Sequence, residues 1–103
     1  MPDHRLSAVQ KDTLYVLCML EARRGSSPVN IMQLLDLINQ SRPSPIHPNN
    51  FRTSIHTLCK NQYLDKFRNA SLMLAVQLTE KGKMKAGEIF HERDIADTGA
   101  EHD

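Results

Sequence analysis

The sequence has no long hydrophobic run. No apolar segment approaches the roughly 20 residues needed to cross a bilayer. The N-terminal stretch MPDHRLSAVQKD has no long apolar core of the signal-peptide kind. Both absences predict a cytoplasmic protein with no membrane partner. Cysteine is scarce: Cys18 and Cys59 are the only two. Each sits in an apolar helical stripe, which fits a buried reduced thiol better than a disulfide or a metal pair. There is no glycine-rich phosphate loop and no paired-carboxylate pattern. His56 and Cys59 are three residues apart, but on a helix they point in diverging directions. No further cysteine or close histidine completes a zinc set, and no third group orients the two as a nucleophilic pair. The expectation is a protein that is not an enzyme, with no metal and no cofactor. A net charge of either sign is nearly absent as well, at +1.

What is present is enough for one folded unit. A chain of 103 residues suits a single domain with one modest core, and 40% apolar with 24% charged residues marks it as globular. The charge is unevenly placed. From Asn49 to Gly87 there are seven basic residues (Arg52, Lys60, Lys66, Arg68, Lys81, Lys83, Lys85) against Asp65 and Glu80. From Glu88 to Asp103 six acidic residues face Arg93 alone. A basic middle before an acidic end predicts a local anion-binding surface concealed by a neutral average.

Hydrophobic periodicity predicts four helices and a hairpin. Helix 1 runs from Ser7 or Ala8 to Arg24, capped by Ser7 and stopped by Gly25 behind Arg23 and Arg24. From Leu14 to Leu20 it is apolar all round, so its second face must be covered by later chain or by a second copy. Ser27 and Pro28 are the expected cap and first residue of helix 2, which carries Ile31, Leu34, Leu35 and Ile38 inward and ends near Asn39 or Gln40. Pro43 and Pro45 make Ser41–His47 a loop. After Gln62 the period shortens. Tyr63 to Arg68 and Leu72 to Leu78 read as two strands, with Asn69-Ala70-Ser71 as their turn. Thr79 then caps a last helix ending near Asp94 to Ala96, which Gly82 and Gly87 weaken in isolation. Met84, Ile89, Phe90 and Ile95 are its candidate contacts.

Helix 3, PNNFRTSIHTLCKN from Pro48 to Asn61, has two unlike faces. Phe51, Ile55, Leu58 and Cys59 build an apolar stripe. Thr53, His56, Thr57 and Lys60 lie opposite, with Asn49 just before them and Asn50 and Arg52 on the flanks. That outer face donates hydrogen bonds, carries positive charge and contains no acid, which suits a DNA groove. Pro48 at the helix start leaves backbone N–H groups at a positive helix end, which favours phosphate. An exposed polar face is also what any surface helix shows. For Lys81, Lys83 and Lys85, a solvated helix start and a phosphate contact both fit.

The order helix, helix, helix, hairpin, helix resembles the winged helix-turn-helix superfamily, a mainly α fold with a small β-hairpin (α+β). Leu58-Cys59-Lys60-Asn61-Gln62-Tyr63-Leu64 is similar to the end of a recognition helix running into the first wing strand. Ala75-Val76-Gln77-Leu78-Thr79-Glu80-Lys81-Gly82-Lys83 resembles the junction after the wing in bacterial regulators of the MarR and PadR type. The chain departs from both in its shortness, its proline-rich loop, its short wing tip and the lack of a second long dimerisation helix. The chain itself reads as a flexible arm over 1–6 and a disordered acidic tail over 97–103, and the resemblance implies a winged-helix domain over 7–96 between them. It implies double-stranded DNA as partner, with helix 3 in the major groove and the wing on the backbone. It places Asn49, Asn50, Arg52, Thr53, His56, Thr57, Lys60, Lys66 and Arg68 at the DNA. Helix 1 and the last helix would form a homodimer through Leu14, Tyr15, Met19, Ile89 and Phe90. The expected role is a repressor of a bacterial, plasmid or phage gene set, nucleoid-associated when bound. The alternative reading is a winged-helix module that takes a protein partner in place of DNA.

Overall fold

The computed structural model describes residues 6–25, 27–68 and 70–101, with 94–101 described by backbone alone. The chain runs α1 (Ala8–Arg24), β1 (Val29–Asn30), α2 (Ile31–Gln40), α3 (Pro48–Lys60), β2 (Leu64–Arg68), β3 (Leu74–Leu78) and α4 (Glu80–Glu101). The sheet order is β1-β3-β2, antiparallel throughout. Helices, wing hairpin and final helix together make a winged helix-turn-helix, the α+β architecture expected from the sequence.

Local chemistry accounts for most boundaries. At α1 the Ser7 hydroxyl accepts from the Gln10 N–H at 3.2 Å, and the Gln10 side chain accepts from the Ser7 N–H at 2.9 Å. This reciprocal capping satisfies two of the four donors a helix start leaves unpaired. Gly25, at φ 84, ends the helix in a conformation that side chains resist. The start of α2 differs from the expectation. Val29 pairs with Val76 and Asn30 with Ala75, forming a third strand the sequence did not signal. Ser27 and Pro28 therefore precede a strand, and Asn30 is the cap, its side-chain oxygen accepting from the Met32 and Gln33 N–H groups. Two residues are too few for a period-2 pattern to show.

The core lies where α1, α2, α3 and the inner face of the sheet meet. Leu14, Leu17, Leu34, Ile38, Phe51, Ile55, Leu58 and Val76 are fully buried there. Each such side chain contributes about 1.5–3 kcal/mol by leaving water. Leu6, placed in the arm by the sequence, is buried in the same cluster. Residues 1–5 of the expected arm, Asn69 of the expected turn, the side chain of Ile95 and the last two residues of the tail lie outside the described residues. The backbone of α4 stays helical to Glu101, past its expected end near Asp94 to Ala96.

The second face of α1 is covered by α4 of the same chain. Tyr15 stacks on Phe90 with centroids 5.5 Å apart, and the Arg93 guanidinium lies 4.4 Å over the Tyr15 ring. Asp12 accepts from Arg93 and from Arg42, both at 2.6 Å, so one carboxylate ties α1 to α4 and to the loop before α3. That loop is fixed again by Asn39, whose amide both donates to the Ile46 carbonyl and accepts from the Ile46 N–H.

Candidate nucleic-acid interface

The orientation of α3 follows from its apolar spacing. Phe51, Ile55 and Leu58 anchor it in the core, and Cys59 is half-buried beside them. Asn49, Asn50, Arg52, Thr53, His56 and Lys60 are then exposed, and Thr57 is half-buried at the edge. Lys66 and Arg68 are exposed on β2. Among the described residues, Arg52, Lys60, Lys66 and Arg68 form no ion pair.

The structure brings three of the nine expected residues together. Arg52 and His56 of α3 face Arg68 of β2 across a cleft of about 410 Å³. Asn30, Ile31, Met32, Leu72, Met73 and Leu74 complete its walls, and no acidic side chain is among them. Asn49, Asn50, Thr53, Thr57, Lys60 and Lys66 lie outside this cleft. Met32, Leu72 and Met73 are additions that sequence reading missed. A helix start and a turn tip come together here only through the fold, and nothing in their spacing announces it.

Several side chains are less available than the sequence implied. His47 caps α3, and its Nδ1 accepts from the Asn49 N–H at 3.2 Å, so one donor assigned to phosphate is already bonded. The Thr53 hydroxyl donates to the Asn49 carbonyl at 3.1 Å, leaving its lone pairs and methyl facing outward. Arg68 donates through Nη1 to the Leu72 carbonyl at 3.2 Å. Leu72 itself is not part of the strand expected there. It sits in the loop at φ 62, and β3 begins at Leu74.

The junction after the wing is a structural lock. Thr79 donates its hydroxyl proton to the Gln62 carbonyl, its N–H to the Tyr63 carbonyl at 3.1 Å, and accepts from the Gly82 N–H at 2.9 Å. Lys81 donates to the Asn61 carbonyl at 2.9 Å and lies 4.6 Å over the Tyr63 ring. A Cβ on Gly82 would sit 2.0 Å from the Tyr63 carbonyl oxygen, so glycine is what lets α4 pass the end of α3. The leucine-threonine-glutamate-lysine-glycine stretch thus holds the wing and α4 against the end of α3. Lys83 pairs with Glu80 at 3.9 Å and Lys85 with Glu88 at 3.3 Å.

The residues expected at a dimer contact divide in two. Leu14 and Ile89 are buried within one chain, and Tyr15 is half-buried under Phe90. Met19 and Phe90 are exposed, and line a shallow apolar hollow with Cys18, Ala22, Arg23 and Gly87. A separate cavity of about 540 Å³ between α1, α2 and α4 shares no residue with the α3–wing cleft. Burial pushes both thiols up. Glu21 adds to this at Cys18, while at Cys59 Lys66 opposes it and Asp65 reinforces it. Both shifts disfavour the thiolate, the reactive form of a cysteine.

No known family model matches the sequence, and no curated protein sequence matches it. Solved structures do match the fold. The adhesin competence repressor AdcR from Streptococcus pyogenes superposes with a TM-score of 0.73 at 19% identity, covering 95% of this chain and 65% of that one. F-93 of SSV1 superposes at 0.67 with 13% identity, covering 94% of this chain and 98% of that one. RV1404 from Mycobacterium tuberculosis superposes at 0.66 with 18% identity, covering 96% and 62%. The chain therefore spans less than two-thirds of AdcR and of RV1404, and nearly the whole of F-93. Its helices, three-stranded sheet and wing are those of a winged helix-turn-helix.

Proposed function

We propose that the protein is a homodimeric, sequence-specific double-stranded DNA-binding transcriptional repressor with no catalytic role. The observation that carries this reading is the cleft in which Arg52 and His56 of α3 face Arg68 of the wing without an acidic neighbour. A duplex offers phosphates on both sides of each groove, and two basic elements set side by side can follow a groove and its rim. In this reading α3 enters the major groove. Arg52 bonds guanine through two donors, and Asn49 or Asn50 bonds adenine. His56, Thr53, Thr57 and Lys60 line the helix–DNA contact, and Lys66 and Arg68 hold backbone phosphate from the wing. The name of one structural neighbour, a repressor, supports the direction of regulation. Exposed Met19 and Phe90 on α1 and α4 support pairing of two chains, with Leu14, Tyr15 and Ile89 supporting that surface from behind. The protein would act in the cytoplasm, on the nucleoid when bound. The alternative is a module that binds a protein partner, favoured by the exposed apolar Phe67, Leu72 and Met73 of the wing.

Selection of bound sequences from a random duplex pool tests the proposal. The expected result is one half-site repeated as a palindrome with centres about 34–36 Å apart, the spacing of two recognition helices on one side of the duplex. Recovery of a single half-site would remove the dimer. Failure to enrich any sequence would remove sequence-specific binding and favour the protein-partner reading.

A further inference from the structure

Leu72 at the wing tip is the most exposed large hydrophobic side chain among the described residues, at 73% of its surface. Its backbone lies in the left-handed region at φ 62, which a branched side chain disfavours. Strained backbone persists where surrounding structure imposes it, and it concentrates at functional positions. Here Arg68 donates to the Leu72 carbonyl at 3.2 Å, a contact that braces the tip. The tip therefore displays an apolar side chain in a braced conformation.

Leu72 and Met73 line the same cleft as Arg52 and His56, so the tip stands on the side of the molecule that carries the outer face of α3. Strand alternation puts Lys66 and Arg68 on that face of β2, and Asp65 and Phe67 on the other. The tip is an apolar point backed by two cations. A protein pocket does not call for that flanking charge. The minor groove does, because its rims are phosphate while its floor and walls are base edges and sugars.

We propose that Leu72 is a wedge that the wing drives into the minor groove, where it parts one base step and bends the duplex toward the major groove. The inference rests on the DNA-binding reading above and adds an activity to it. Apolar side chains at such positions unstack a step, and the bend brings more backbone onto the protein. Arg68 and Lys66 hold the phosphates on either side, and the ordering cost of the tip is met before binding because its carbonyl is already held. The bend then makes the flexibility of an uncontacted step part of the specificity.

The test uses the full chain and duplexes of about 30 base pairs recovered by its own selection, the length over which a bend is measurable. One set carries a dye at each end, and the other has 2-aminopurine in the step beside the half-site. The wild type should bend the duplex within the range of about 20–90° seen for apolar wedges and brighten the 2-aminopurine. Leu72→Ala and Leu72→Gly should leave the duplex straight and dark, with affinity about tenfold weaker from the lost apolar contact. Leu72→Gly should also keep or raise the thermal midpoint of the free protein, because glycine accepts φ 62 without strain. A leucine that merely packs the tip would lower it. Wild-type binding to straight, dark DNA would overturn the wedge alone and leave the tip to a protein partner. Equal bending by both variants would also overturn it. Binding to no duplex would overturn both the wedge and the reading it rests on.

Discussion

Two basic regions of this molecule use their charge differently. At the start of α4, Lys81 is bonded to the Asn61 carbonyl and stacked on Tyr63, Lys83 faces Glu80 and Lys85 faces Glu88. Along α3 and β2, Arg52, Lys60, Lys66 and Arg68 have no carboxylate partner among the described residues. Both regions lie inside the basic middle of the chain. In the first, Lys81 ties α4 to the end of α3, and Lys83 and Lys85 are paired within α4 itself. The second faces outward, and none of its cations is ion-paired among the described residues. A count of positive residues cannot separate the two, because the difference lies in which carbonyls and carboxylates the fold brings near.

The largest effect is expected at the lock. Gly82→Ala forces a Cβ to within 2.0 Å of the Tyr63 carbonyl oxygen, against backbone that has no freedom to move aside. It should cost more than about 3 kcal/mol of stability in urea unfolding, in the range of severe single substitutions. A variant of normal stability would mean that α4 is not held where the structure puts it. Next comes Arg52→Ala, which should leave stability unchanged, weaken DNA binding by about 1–3 kcal/mol and relax preference at one base position. An equal loss on every sequence would move Arg52 from base to backbone. Lys81→Ala should lower stability by about 0.5–1 kcal/mol through the lost ring and carbonyl contacts, without altering base preference. Smallest of all, Lys83→Ala and Lys85→Ala should shift stability by less than about 0.5 kcal/mol, as exposed pairs three residues apart on a helix do.

Much of this was legible in the chain itself, for identifiable reasons. The two faces of α3 follow from side-chain periodicity, and Phe51, Ile55 and Leu58 settle them without reference to any partner. Ser7, Gly25 and Thr79 mark helix ends because their chemistry acts on neighbouring residues. What depends on distant residues was not legible. Strand β1 exists only because β3 offers it an edge. Gly82 looks like a weak point in a helix until Tyr63 is seen against it, and then its missing side chain is the reason it fits. Leu72 continues an alternating run in the sequence, yet it belongs to a loop, because the ladder from Leu64↔Leu78 closes at Arg68↔Leu74 and leaves it beyond the last pair. Leu14 and Ile89 are expected at a dimer contact from their apolar stripes, and only the fold shows that α4 lies along α1 with both side chains buried within one chain.

In the proposed function the cations of α3 and the wing that lack a carboxylate partner, and not the lysines of α4, meet phosphate. The direct measurement is the slope of log affinity against log salt for duplex binding, compared between two triple variants. Each phosphate contact contributes about 0.9 to that slope. Replacing Lys60, Lys66 and Arg68 by alanine should reduce its magnitude by nearly three, and replacing Lys81, Lys83 and Lys85 should leave it unchanged. The reverse result, a slope lowered by the α4 triple and unaffected by the α3–wing triple, would move the phosphate contacts from α3 and the wing to α4.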